Sequence, residues 1–149
     1  DSDLTAVATY LKDMASKASQ VALKAPSESM KKSTTSARVL SQGAKIYEQH
    51  CEQCHQAQGQ GVPGAYPALA NNRAILLNDP TNLVQTVLYG GYPAATQLNP
   101  RPYGMPPYIL DLDDREIAAV LTHLRTQWGN QAAEVTPLQV NRIRALQGQ

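Results

Sequence analysis

A chain of 149 residues is long enough for one ordinary domain with a buried core and leaves room for an appendage. Its 13 Lys and Arg against 12 Asp and Glu leave a formal net charge of +1, which gives no electrostatic reason to expect nucleic acid or an anionic membrane as a partner. Hydrophobic residues reach 42% but aromatics only 5%, with no Phe, so side chains alone make a core poor in large flat groups, and no run approaches the roughly 18 apolar residues of a membrane span.

In chain order, residues 3–14 (DLTAVATYLKDM) place Leu4, Val7, Ala8 and Leu11 at helical spacing, with Asp1 or Ser2 able to cap the first amides. The chain starts without an initiator Met and lacks the layout of a signal peptide, as expected of a processed protein or a piece of a longer one. Residues 15–37, rich in Ser, Lys and Ala, read as a linker or a surface-draped segment. A second helix is predicted from about Ser41 through His50, presenting Ala44, Tyr47 and Cys51 on one side. Pro63, Gly64 and Pro67 interrupt regular structure, and NNRAILLN allows a short helix after its Asn cap. A firmer helix follows in DPTNLVQTVLYGG: Asp79 or Thr81 caps it, Leu83, Val84, Val87 and Leu88 form the apolar stripe, and Gly90-Gly91 stops it. Residues 92–110 carry five prolines and are too stiff and too long to be a spacer, so they read as a loop that wraps something.

The clearest helix has Asp111 or Asp113 as cap, Asp114 and Glu116 in its first turn, a stripe of Ile117, Val120, Leu121, Leu124 and Trp128, and Gly129 as its stop. The last segment, VTPLQVNRIRALQ, offers Thr136 as cap, Pro137 in the first turn and Leu138, Ile143 and Leu146 as a modest apolar face. No segment reads as a strand, so the expected class is all-α. DLTAVATYL at 3–11 also aligns without gaps on EIAAVLTHL at 116–124. Two readings follow: a chance likeness between amphipathic helices, or a first helix that closes an earlier copy of the same domain.

Both cysteines of the chain fall in Cys51-Glu52-Gln53-Cys54-His55. That spacing serves covalent haem attachment, a redox dithiol or half of a zinc site. Zinc needs further ligands, and no other Cys exists; only His50 and His123 remain among the histidines. A thioredoxin-like dithiol expects a strand before the motif, and none is visible. Haem takes two thiols for its vinyl groups and an imidazole for one axial position, and all three come from one helical turn. A sixth ligand then belongs downstream in a stiff loop. Met105, between Gly104 and Pro106-Pro107, is the candidate, whereas Met14 and Met30 precede the motif and read as core filler.

GAKIYEQHCEQCH, YPALA, GMPPY and LDDREIAAVLTHLRTQWGN, in that order over about residues 41–129, resemble a small monohaem cytochrome c domain. The run from GVPGAYPALANN to TQWGNQAAEVTPLQVNRIR is more narrowly similar to the C-terminal haem domain of the multihaem cytochrome subunits of membrane-associated alcohol, sorbitol and gluconate dehydrogenases. The resemblance implies an all-α cytochrome c-like fold around one covalently bound haem c over 38–149, with 1–37 as an N-terminal helix and linker extension. It implies Cys51 and Cys54 as thioether anchors, His55 as proximal and Met105 as distal iron ligand, and the Pro67 carbonyl as acceptor for the His55 Nδ1 hydrogen. Gly43 and Tyr47 would cross the closing helix near Leu121 and Leu124. Arg73 is a candidate propionate partner, and Tyr66, Tyr103 and Tyr108 are candidate cavity-lining residues; His50 and His123 read as structural or exposed. Ile75, Leu83, Val87, Leu98 and the proline loop would pack around the haem.

The implied function is electron relay without catalysis, from a dehydrogenase or a neighbouring haem toward quinone or a terminal oxidase. The alternatives are a free monohaem carrier and a peroxidase-type enzyme, the latter needing an open sixth position. The partners would be redox proteins, and the location the bacterial periplasm or the outer face of the inner membrane.

Overall fold

Asp113 shows how the sequence sets the central element. Its carboxylate accepts from the amides of Arg115 and Glu116 at 2.8 Å each, and Glu116 accepts from the Asp113 amide at 2.9 Å, a complete capping box. The helix that follows, Asp114–Thr126, buries Ile117, Val120, Leu121 and Leu124 as its pattern predicts. It ends earlier than expected. Trp128 lies beyond it with φ of 54° and folds back onto Tyr47, ring centroids 4.8 Å apart.

The computed structural model describes residues 4–13, 36–97, 100 and 102–146. The Asp1 and Ser2 caps, Met14, Met30, Leu98 and most of the 15–37 segment lie outside them. Two compact units result, Asp1–Lys32 and Ser33–Gln149. In the first, residues 4–13 form helix α1, with Leu4, Val7 and Leu11 exposed. In the second, α2 is Ala37–His50, α3 Glu52–His55, α4 Arg73–Leu76, α5 Thr81–Tyr89, α6 Asp114–Thr126 and α7 Pro137–Leu146. No strand occurs among the described residues, and only the bridges Val62–Tyr66 and Gly91–Met105 pair extended backbone. No described helix is long and apolar enough to cross a membrane.

Helix α2 starts at Ala37, earlier than the predicted Ser41, because the Ser36 hydroxyl accepts from the Arg38 amide at 3.3 Å and caps it there. It packs mainly on α6. The closest approach is between Gly43 and α6 at Ala119 and His123, not Leu121 and Leu124: a Cβ on Gly43 would run into the Ala119 carbonyl and come within 2.8 Å of the His123 Cβ. Only glycine allows this crossing.

The tail departs from its predicted face. Leu138 and Leu146 are 58% and 76% exposed, while Val140 and Ile143 are buried. Arg144 turns the helix: it pairs with Asp114 at 2.7 Å and donates to the Ile109 and Leu112 carbonyls at 2.6 and 2.9 Å, which seats α7 against the start of α6.

Arg125, 1% exposed, donates from Nε to the Ala133 carbonyl at 2.6 Å and from Nη1 to the Ile75 and Leu77 carbonyls at 2.5 and 2.9 Å. One guanidinium therefore ties α4 and the segment before α7 to α6. Arg125→Met leaves three carbonyls without their donor. With about 1–3 kcal/mol for each buried group left unsatisfied, offset by relief of a buried charge, a net loss of about 3 kcal/mol is expected in chemical denaturation.

His123 sits between Tyr47 and Trp128, with centroids at 5.7 and 5.3 Å, and burial pushes its pKa below the ordinary 6.5. The fold prefers the neutral ring, so the unfolded chain binds the proton more readily. The stabilisation is complete above pH 6.5 and declines as the pH falls toward the depressed native value. Thermal melts of His123→Gln are expected to show a shallower loss of stability between neutral and mildly acid pH than the parent; an identical slope would count against this assignment.

Candidate functional site

The site is built where α2 hands over to α3. The Cys51 amide donates to the Tyr47 carbonyl at 2.9 Å, closing α2, and the Cys51 carbonyl accepts from Cys54 and His55 at 3.2 and 2.9 Å. One tight turn therefore carries both thiols and the imidazole. Gln56 leaves it with φ of 66°, and its carbonyl accepts from the Tyr47 hydroxyl at 2.6 Å.

The loop after α3 then folds back on it. Gly61 donates to the His55 carbonyl at 2.9 Å, Val62 and Tyr66 pair, and Leu69 and Ala70 donate to the Gly59 carbonyl at 2.6 and 2.9 Å. This brings the Pro67 carbonyl 2.9 Å from His55 Nδ1. A carbonyl can only accept, so Nδ1 carries a hydrogen, and the tautomer of the neutral ring is the one that leaves the Nε2 lone pair free. The ring is buried in that orientation.

Met105 is held by backbone bonds in a separate loop. Gly91 and Met105 exchange both main-chain hydrogen bonds at 3.1 and 2.8 Å, and Tyr108 and Ile109 donate to the Val87 and Leu88 carbonyls at 3.1 Å each. Gly90, at φ of 65°, lets the loop press onto the end of α5, since a Cβ there would strike the Met105 carbonyl. The Tyr108 hydroxyl donates to the His50 carbonyl at 2.7 Å and ties the same loop to the end of α2. The stiffness read from the prolines is thus reinforced by hydrogen bonds.

Between these walls lie two cavity lobes of about 230 and 420 Å³, and Cys51, His55, Pro67, Met105 and Tyr108 line both. Ile75, Leu83, Val87 and Leu124 complete the apolar wall of the smaller lobe. Cys54, Tyr66, Tyr92 and Tyr103 line the larger. The structure brings together every predicted site residue except Arg73, which is exposed at the start of α4 and lines neither lobe. His50 borders the larger lobe with its ring against Tyr108, and His123 lies away from both lobes at the α2–α6 crossing. Sequence reasoning missed Tyr92, which had no motif to mark it, and Asn130, whose side chain bonds the Asn71 amide and the Leu69 and Leu124 carbonyls at 2.8, 3.0 and 2.7 Å.

The chemistry of the pair can be narrowed further. Burial, then proximity to Cys54, pushes the Cys51 thiol up to about 11, the reverse of the depression a reactive dithiol needs. Among the described residues no group of three or more His, Cys, Asp or Glu side chains is assembled to hold a metal ion. Two cysteines, an imidazole whose Nδ1 is taken by Pro67 and a thioether line one largely apolar cavity, a set that fits a haem bound through its vinyl groups and iron.

Comparison with known proteins agrees with that fit. A family model described as cytochrome c matches residues 40–128. The cytochrome c subunit of the quinone-type alcohol dehydrogenase of Gluconacetobacter polyoxogenes is 36% identical over 103 residues, covering 68% of this chain and 22% of that protein. The gluconate 2-dehydrogenase cytochrome c subunit of Pantoea cypripedii is 31% identical over 146 residues, 97% of this chain and 33% of its own length. Cytochrome c-552 of Thermus thermophilus is 42% identical over 91 residues, 59% of this chain and 69% of that one. The chain thus spans between a fifth and a third of the dehydrogenase subunits it matches. With its helical unit, its single C-x-x-C-H turn and a family match over most of that unit, the chain belongs to the cytochrome c family.

Proposed function

We propose that this chain relays electrons through one haem c anchored at Cys51 and Cys54, with His55 and Met105 as axial iron ligands. The observation that carries this reading is that His55 and Met105 line the same two cavity lobes from separate elements, each held by backbone hydrogen bonds. When bound, haem c supplies a ferric/ferrous one-electron couple.

The protein residues supply the rest. The Pro67 carbonyl holds the His55 ring by its Nδ1 hydrogen and makes Nε2 a better donor. The Gly91–Met105 bridge and the Tyr108 bond keep the thioether loop in place in both oxidation states, which keeps the reorganisation on electron gain or loss small. A neutral thioether and an apolar wall favour the less charged ferrous site and set the potential toward the positive side of the about 0.8 V that axial ligands span. His55 and Met105 would both hold the iron, which would leave it no open position for peroxide.

The electron donor is a dehydrogenase or a neighbouring haem, and the acceptor a quinone or a terminal oxidase. The relatives named as dehydrogenase cytochrome subunits support this direction. Thioether haem is made outside the bacterial cytoplasm, so the chain works in the periplasm or at the outer face of the inner membrane. Residues 1–37 form an extension and 38–149 the haem domain. The test is potentiometric titration of the purified protein: reversible one-electron behaviour, low-spin spectra in both states and no peroxide turnover are expected. A colourless protein or peroxide turnover contradicts the proposal.

A further inference from the structure

Charge is distributed unevenly along this chain. Residues 53–110, which supply most of both cavity lobes, contain three charged residues, Arg73, Asp79 and Arg101, against 13 Lys and Arg and 12 Asp and Glu in the whole chain. Arg73 lines neither lobe, Asp79 is bonded to Thr81 at the start of α5, one helix length from Gly90, and Arg101 lies outside the described residues. Among the described residues no Asp, Glu, Lys or Arg lines either lobe.

The rim of the larger lobe is instead aromatic and proline-rich. Tyr92 is 84% and Tyr103 59% exposed. The Tyr103 ring stacks on Tyr66 with centroids 5.1 Å apart, and the Tyr92 ring covers Gly104, so closely that a Cβ on Gly104 would strike it. Pro93 and Pro106, both exposed, complete the rim. Exposed tyrosines over a scaffold of prolines and glycines offer large contact area at low cost in side-chain entropy. The centres of protein interfaces likewise favour Tyr and are depleted in Lys, Glu and Asp.

We propose that this rim is the docking face through which electrons enter or leave, and that it fits a redox protein whose own docking face is uncharged and apolar. Complementarity decides the partner's chemistry: a ring of charges pressed against Tyr66, Tyr92, Tyr103 and the prolines would lose water and gain no counter-charge. Apolar burial drives the encounter, with little long-range steering, and its rate is nearly independent of ionic strength. The inference rests on the haem relay proposed above.

The test uses a second copy of the holoprotein as the probe. Electron self-exchange between the ferric and ferrous forms is measured by NMR line broadening between about 0.01 and 1 M ionic strength, where the screening length falls from about 30 to about 3 Å. The parent rate is expected to change by less than about two-fold, whereas steered encounters change by tenfold or more. Tyr92→Lys and Tyr103→Lys are each expected to slow self-exchange at low salt, with part of the rate recovered as salt is added. Tyr92→Gln, which removes ring area without adding charge, should slow it without that recovery. Haem spectra and potential report separately on the relay. If they match the parent while the lysine variants exchange at the parent rate, or if the parent itself shows a tenfold salt dependence, the docking proposal is overturned and the relay stands. Absence of a haem spectrum in the parent would overturn both.

Discussion

Met105→Ala is expected to leave haem attached and helicity near normal while abolishing the long-wavelength ferric charge-transfer band of methionine–iron ligation. The loop itself does not depend on the side chain: its fold is set by the main-chain bonds of Met105 to Gly91, of Tyr108 to Val87 and of Ile109 to Leu88. The backbone around the cavity therefore keeps its course while the thioether side chain is lost. Water or hydroxide would then take the place of the thioether and stabilise the ferric state, so the potential falls within the about 0.8 V that axial ligation spans. The open position should also bind carbon monoxide in the ferrous form and turn over peroxide slowly. Titration of the variant with carbon monoxide and a spectroelectrochemical measurement check both effects, and Met105→His, which refills the position with a second imidazole, should close it again at a lower potential than the parent.

The double variant Cys51→Ser, Cys54→Ser is expected to lose the unit rather than the cofactor alone. With no thioethers, haem is held only by axial bonds and apolar contact and is removed by acid extraction. The walls left behind cannot close easily, because α2, α5 and α6 are fixed by the Gly43 crossing, the Gly91–Met105 bridge and the Arg125 ties. Leaving the lobes without haem exposes their apolar walls, Ile75, Leu83, Val87 and Leu124 among them, to water, a loss of burial that a domain of marginal stability does not withstand. Far-ultraviolet circular dichroism of the extracted variant should therefore report a large loss of helix, and re-addition of free haem should restore part of it.

The site was more legible in the sequence than the scaffold that holds it. Cys51, Cys54 and His55 are adjacent along the chain, so their spacing alone restricted the chemistry, and Met105 stood out because it sits among prolines and glycine. The Pro67 carbonyl came from resemblance, and the structure gives it a 2.9 Å contact with Nδ1. Helices α5 and α6 were readable because a cap and an apolar stripe coincide in each, although α6 stops at Thr126, short of the predicted Trp128 and Gly129. Arg125 was not: a basic residue in the last turn of an amphipathic helix ordinarily points to water, and its partners are backbone carbonyls at 75, 77 and 133, which leave no side-chain signature. The face of α7 was misjudged for a related reason. Periodicity favoured Leu138 and Leu146, but the bonds of Arg144 to Asp114, Ile109 and Leu112 set the rotation and buried Val140 instead. Local pattern predicts an element; distant polar ties decide which side it shows to the core.

The most direct test of the axial pair is X-ray absorption at the iron edge, recorded on the ferric and ferrous protein as isolated. One sulfur scatterer and one imidazole nitrogen beyond the porphyrin nitrogens are expected in both states, with the sulfur absent from Met105→Ala. An iron shell without sulfur in the parent, or a sulfur that survives removal of Met105, would contradict it.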